Sequence, residues 1–291
     1  MTPFELAEPR TLREAAALLD TDEPSVRPIA GGTAVMLMMK MGVLRPARLV
    51  SLRSIEKQYS GIVSGPAGEL RLGAMTTLSA LERSAAALKH AAVISRALRS
   101  LSNVRVRNVA TVGGHLAHAD PHMDLPPVLI ALGASVTTLA ADASRTFPLE
   151  QLYAGYLETT LGRGELIAEV SVPRQGSRRA AYLKCTLRSA DDWPALGVAV
   201  ALDTDGAEVR DARIVVSAAT DTPMRLAAAE SALRSARVDD AALRRAGDAA
   251  ADEAAIVSDV HGSAAYKRQL VRVYVARAVR AALAGNPETR D

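Results

Sequence analysis

A single cysteine, Cys185, stands in 291 residues. An internal disulfide is therefore excluded, and so is an iron–sulfur cluster or cysteine-built zinc site held by this chain alone, because each needs several thiolates. Aromatic residues are as scarce, 3% of the chain with one tryptophan, so the core must be assembled from Ala, Val and Leu. An excess of one charge is missing too. The 35 Lys and Arg stand against 32 Asp and Glu, and the basic residues are dispersed without interleaved aromatics, which argues against a nucleic-acid partner. The uncharged stretch 125–141 is broken by Pro126, Pro127 and Gly133 into a short helix and a strand, so it does not read as a membrane span. Segment 1–10 carries Glu5, Glu8 and Pro9 and no apolar signal core. The expectation is a soluble, cytoplasmic protein.

What is present is an ordinary globular balance, 49% hydrophobic and 23% charged, over a length that suits two domains. Thr11 followed by Glu14 is a capping-box pair, and Leu12, Ala15, Ala16 and Leu19 form the apolar stripe of a first helix. A strand over 26–29 runs into Gly31-Gly32 and a helix over 34–41. Strands follow at 49–52 and 70–74, helices at 78–83 and 91–100, then a Gly-, His- and Asp-rich stretch over 103–124 and a strand over 135–140. A strand over 166–172 places Leu166, Ala168, Val170 and Val172 on one face and ends at Pro173. The polar segment 174–179 marks a domain boundary. Beyond it come three antiparallel strands at 181–186, 196–202 and 209–218, with Asp205-Gly206 as turn chemistry, then helices over 224–235, 240–253 and 263–284. Strands followed by helices define an α+β class. Residues 286–291 read as a disordered tail.

Two glycine loops carry the candidate chemistry. In Ile29, Ala30, Gly31, Gly32, Thr33 and Ala34, adjacent glycines free the backbone to curl, and the helix start that follows offers N–H groups to a phosphate. Thr111, Val112, Gly113, Gly114 and His115 are of the same type, and two such loops suit a diphosphate. Either loop alone reads first as a plain turn, and neither has the spacing of a Rossmann fingerprint or a P-loop. The rival reading is a metal. His115, His118 and His122 are spaced by three and four residues and joined by Asp120 and Asp124, which would share one face of a continuous helix; Pro121 breaks that helix.

Taken together, Ala30-Gly31-Gly32-Thr33, Leu72-Gly73-Ala74-Met75-Thr76-Thr77, and the run from Val106-Arg107-Asn108 through Thr111-Val112-Gly113-Gly114 to His118-Ala119-Asp120-Pro121 and Asp124-Leu125-Pro126 are specific. With Gly164-Glu165-Leu166-Ile167 and Ser263-Ala264-Ala265-Tyr266-Lys267-Arg268, they make nearly the whole chain resemble the FAD-binding medium subunits of the aerobic carbon monoxide dehydrogenase and xanthine dehydrogenase group of molybdenum hydroxylases. The resemblance implies a two-lobed FAD-binding domain of the vanillyl-alcohol-oxidase (PCMH) type over 1–175, with lobes of about 1–55 and 56–175. A smaller flavin-capping domain over 176–291 would follow.

By matching positions, residues 29–34 and 111–115 line the FAD pyrophosphate, Asp124 accepts a hydrogen bond from the cofactor, Leu166 meets the flavin through its backbone, and Lys184 approaches from the C-terminal domain. Leu101 matches an apolar contact, and Trp193 falls where an aromatic lies near the isoalloxazine; a packing role is the plainer reading of that tryptophan. His115 stands where the family usually has Asn, and Thr33-Ala34 where the carbon monoxide enzymes usually have Gln-Ser. The implied function is electron transfer with no catalytic side chain and no metal in this chain. FAD takes electrons from an iron–sulfur small subunit fed by a molybdenum-pterin large subunit, in a dimer of heterotrimers. The alternatives are a stand-alone flavin oxidase or dehydrogenase acting directly on a small molecule, and a metal-dependent hydrolase.

Overall fold

A computed structural model describes residues 2–206, 208–235 and 237–285; the tail over 286–291 expected to be disordered lies outside the described residues. The chain opens with β1 (Glu5–Ala7) and α1 (Leu12–Leu19). Thr11 caps α1 by accepting the Glu14 N–H at 3.0 Å, while the Glu14 carboxylate reaches back to the Arg10 N–H at 2.8 Å, one residue earlier than in the usual reciprocal box. The predicted stripe Leu12, Ala15, Ala16 and Leu19 is buried. β2 (Val26–Ile29), α2 (Thr33–Lys40) and β3 (Arg48–Ser51) complete a parallel sheet ordered β1-β3-β2, each helix returning the chain for another strand in the same direction.

After β4 (Ile62–Ser64) and β5 (Leu70–Gly73) the chain becomes helical: α3 (Leu78–Glu82), α4 (Ala85–Arg99), α5 (Val104–Arg107), α6 (Val112–His118) and α7 (Leu125–Ala131). The helix predicted over 91–100 is the second limb of α4, which bends at Ala91, where φ is −155° and ψ 79°. Strands β6 (Ser135–Leu139), β7 (Ser144–Pro148), the ribbon β8 (Tyr153–Gly155) with β9 (Glu158–Thr159), and β10 (Leu166–Val172) follow. An antiparallel sheet forms in the order β4-β5-β10-β6-β7.

β10 departs from simple alternation. Its register against β6 shifts between Ile167 and Glu169, so Leu166 and Ala168 join the core of α1 and β3, whereas Val170 and Val172 join the core beneath the helices. A one-residue bulge flips every later side chain to the other face. One strand thereby serves two cores.

The three predicted C-terminal strands are β11 (Arg179–Cys185), β12 (Leu196–Asp205) and β13 (Glu208–Ser217), antiparallel as expected. β14 (Met224–Arg225) adds a fourth, where the sequence pattern had begun a helix; Met224 pairs with Val216 and Arg225 with Val215, and the helix α8 (Ala227–Leu233) starts after them. α9 (Asp240–Glu253) and α10 (Ala264–Leu283) complete the chain. This sheet is a middle layer: Leu196, Val198, Val200 and Leu202 face α8–α10, while Ala199 and Ala201 face the core that includes α4 and α7. β12 is apolar on both faces for that reason, and small alanines let α7 approach.

Candidate cofactor site

The fold brings the two glycine loops together. A Cβ built on Gly31 would overlap the Val109 carbonyl oxygen, so the first loop lies directly on the backbone leading into the second. A Cβ on Gly114 would stand 3.4 Å from the Ala30 side chain, and one on Gly113 only 2.7 Å from Ala74 Cβ. Gly32 is needed for conformation instead: it caps α2 at φ +75°.

The loops differ in what they leave free. At α2 the first intrahelical bond is Met36 N–H to Gly32 O at 2.9 Å, and no side chain caps the end. The N–H groups of Thr33, Ala34 and Val35 precede that bond and so have no partner within the helix. At α6 the equivalent donors are taken. Val112 N–H donates to Thr76 O at 2.9 Å, Gly113 N–H to Ala74 O at 2.7 Å, and Gly114 N–H to Thr111 Oγ1 at 3.1 Å. The second loop therefore buttresses the first, leaving the Thr111 hydroxyl proton free to donate. His115, one step along α6, is buried with its Nε2 unpartnered. Burial above all, helped by nearby His118, lowers its pKa to about 4, so it is neutral at pH 7. Leu166 packs in the same apolar cluster as Ala30, which puts the start of β10 beside the first loop.

The remaining expected residues gather around Lys184. Its Nζ donates to Ser100 O at 2.6 Å, to Asp192 O at 3.1 Å and to Asp124 Oδ2 at 3.2 Å. That one ammonium fixes the carbonyl beside Leu101, the backbone beside Trp193, and the carboxylate preceding α7. Tyr182 donates to Asp124 Oδ1 at 2.5 Å. Burial pushes the Asp124 carboxyl up, and Lys184 and Tyr182 pull part of the way back. A carboxylate has about four acceptor positions, so the two bonds leave capacity for a ligand donor. The Leu101 side chain is buried, and its carbonyl accepts from Arg107 at 3.0 Å.

His115 and His118 lie on α6, but the helix ends at Ala119 in the left-handed region, φ +54°, and His122 falls beyond it. Among the described residues no group of three or more His, Cys, Asp and Glu is arranged to hold a metal ion. Sequence reasoning missed Tyr182, which read as an ordinary strand residue, and the pairing of His122 with Asp259, 137 positions away. No local pattern signals a contact of that range. Trp193 is 52% exposed and stacks on His122, ring centroids 5.5 Å apart.

N–H groups at α2 without helical partners, a neutral buried imidazole with an unpartnered nitrogen, and a second loop with no room for a Cβ at Gly113 fit a diphosphate-bearing cofactor. The fold and the site define a cofactor-binding protein. Residues 2–175 match the family model described as the FAD binding domain in molybdopterin dehydrogenase, and residues 181–282 the CO dehydrogenase flavoprotein C-terminal domain. The chain belongs to this family. It is 30% identical to the nicotine 6-hydroxylase medium subunit of Paenarthrobacter nicotinovorans, over 94% of this chain and 95% of that one. It is 29% identical to the carbon monoxide dehydrogenase medium chain of Hydrogenophaga pseudoflava, over 97% of each. A solved carbon monoxide dehydrogenase from Hydrogenophaga pseudoflava, lacking the Mo-pyranopterin moiety, superimposes with a TM-score of 0.93 at 31% identity, covering 99% of this chain and 100% of that one. No described helix is long and apolar enough to cross a membrane.

Proposed function

We propose that the chain is the FAD-binding, electron-transferring medium subunit of a molybdenum hydroxylase, assembled with an iron–sulfur small subunit and a molybdenum-pterin large subunit as a cytoplasmic dimer of heterotrimers. The observation that carries the reading is the α2 start, whose three N–H groups have no partner in their own helix, packed against a second glycine loop whose Val112, Gly113 and Gly114 N–H groups are engaged. Oriented N–H groups at a helix start favour a phosphate. The Thr111 hydroxyl supplies a further donor from the second loop. Neutral His115, buried beside the second loop with its Nε2 unpartnered, adds no charge there, and Asp124, held by Lys184 and Tyr182, keeps acceptor capacity for a donor on the cofactor. FAD, when bound, supplies two-electron chemistry at its isoalloxazine ring. The protein binds, orients and screens it; no side chain here is asked to act as acid or base on an organic substrate. Medium subunits among the relatives serve hydroxylases and dehydrogenases of different substrates, nicotine and carbon monoxide among them. Substrate choice accordingly resides in another subunit.

The test is a titration of the flavin-free chain with FAD and FMN, followed by flavin fluorescence. FAD should bind at least about tenfold more tightly, the ratio given by about 1.4 kcal/mol from the second phosphate. Equal affinities would overturn the diphosphate reading.

A further inference from the structure

His122 lies outside the glycine loops, and holding the pyrophosphate makes no use of it. It is 9% exposed, and each ring nitrogen faces a carboxylate: Nδ1 is 2.9 Å from Asp120 Oδ1, and Nε2 is 3.1 Å from Asp259 Oδ2. A neutral imidazole has one N–H and one lone pair, so it would set that lone pair against one of the two anions. Only the imidazolium donates to both. Asp259 is itself held by Lys267 Nζ at 2.6 Å, a fully buried ammonium that also donates to Ala218 O at 2.9 Å. The face of the ring is used as well. Trp193 lies nearly parallel to it, 11° between planes, and His261 tilts against it at 5.0 Å. A cation over an indole face is the favoured partner for that quadrupole.

We propose that His122 is carried as an imidazolium that fastens Trp193 and the 259–267 segment to the end of α6, and so acts as a positioning residue for the aromatic edge of the cofactor site. The charged and titratable groups around it agree. His118 and Asp120 approach from the α6 end, Asp259, His261 and Lys267 from the C-terminal segment, and Arg188 from the stretch preceding Trp193. Burial keeps His118 and His261 toward the neutral side, which leaves two carboxylates against His122 and Lys267 at the centre. Burial also disfavours the His122 charge, but its bonds to Asp120 and Asp259 outweigh that and raise its pKa above the ordinary value. The clamp is a property of this chain alone; only its consequence for the flavin rests on the function proposed above.

Because Trp193 is the one tryptophan, its emission in the flavin-free full chain reads the stack directly. An adjacent imidazolium quenches an excited indole by accepting an electron, and neutral imidazole does so far less. Emission should be weak at low pH and rise through a one-proton step whose midpoint lies above 6.5, the ordinary histidine value, with acrylamide accessibility rising in parallel. His122→Gln should be bright and acrylamide-accessible at every pH. His122→Arg, planar and permanently charged, should show no step and match the acrylamide accessibility of the protonated wild type. Asp259→Asn should lower the midpoint by about one unit, the usual effect of removing a neighbouring opposite charge. A wild-type emission flat across the range would overturn the proposal, as would a step that persists in His122→Gln. If the Gln variant fails to fold, the Arg and Asp259 variants decide. A wild-type chain that shows the step but takes up no FAD would sink the function proposed above and leave the clamp standing. In the loaded chain, a visible flavin spectrum identical in wild type and His122→Gln would sink the link to the cofactor.

Discussion

His115 shows how one buried side chain couples the site to stability. Its pKa of about 4 in the folded chain lies below the ordinary 6.5, so the unfolded chain binds its proton first as pH falls. The stability linked to this group is complete above pH 6.5 and drains away between 6.5 and about 4. From pH 7 to pH 5 the loss is about 2 kcal/mol. His115→Asn removes the titration while keeping a short polar side chain, so urea unfolding should show the variant gaining about 2 kcal/mol on the wild type between those pH values. Parallel pH profiles would mean the ring is not held neutral.

The paired glycines call for a similar separation. Gly31→Ala drives a Cβ into the Val109 carbonyl and should cost about 3 kcal/mol, the upper end for overpacking. Gly32→Ala meets the penalty of a left-handed backbone, about 1 kcal/mol, and a 3.3 Å contact with the flexible end of the Ile29 side chain, which can give way where the Val109 backbone cannot. Equal losses in urea melts would erase the distinction. Both glycines were visible in the sequence as a loop. Which one serves packing and which conformation was not, because the answer depends on residue 109, which lies far along the chain.

At the scale of elements, periodicity found what local patterns encode and missed what partners impose. α1, the β2-glycine-α2 turn and the strands β11 to β13 follow from stripes, caps and turns. The β10 bulge does not, since register is set by β6 and a period-two pattern continues through Ala168 unchanged. α6 is the instructive failure. Gly113 and Gly114 argued for a loop start, yet both lie within a helix, because Thr111 caps it and Ala74 admits nothing larger than glycine against its first turn. Tertiary contacts overrode a propensity penalty of about 1 kcal/mol per glycine. Thr111→Ala should consequently cost about 1 kcal/mol as a lost cap and speed FAD release, whereas Thr111→Ser should restore both. FAD release unchanged in the Ala variant would show that the second loop does not buttress the first.

Across the whole molecule the chain behaves as a fragment of a longer electron path. Its single cysteine cannot assemble an iron–sulfur relay, and the described residues hold no metal-binding cluster. The glycine loops and Asp124 were legible because each sits in a motif, whereas Leu101, Lys184 and Trp193 came from matching positions alone; the charged clamp was illegible because its members are spread over 259–267 and 120–122. An incomplete enzyme and a misfolded one are told apart by a contrast of reductants. Dithionite acts on the cofactor directly, so the isolated chain loaded with FAD should bleach fully when it is added. Organic substrates should leave the flavin oxidised until iron–sulfur and molybdenum subunits are supplied, and turnover should then appear with all three together. Bleaching by dithionite without substrate turnover marks a sound chain lacking its donors. If instead a small alcohol or amine reduced the isolated chain and turned over in air, the electrons would pass from that substrate directly to the flavin, the oxidation site would lie within these 291 residues, and the stand-alone oxidase would replace the subunit reading.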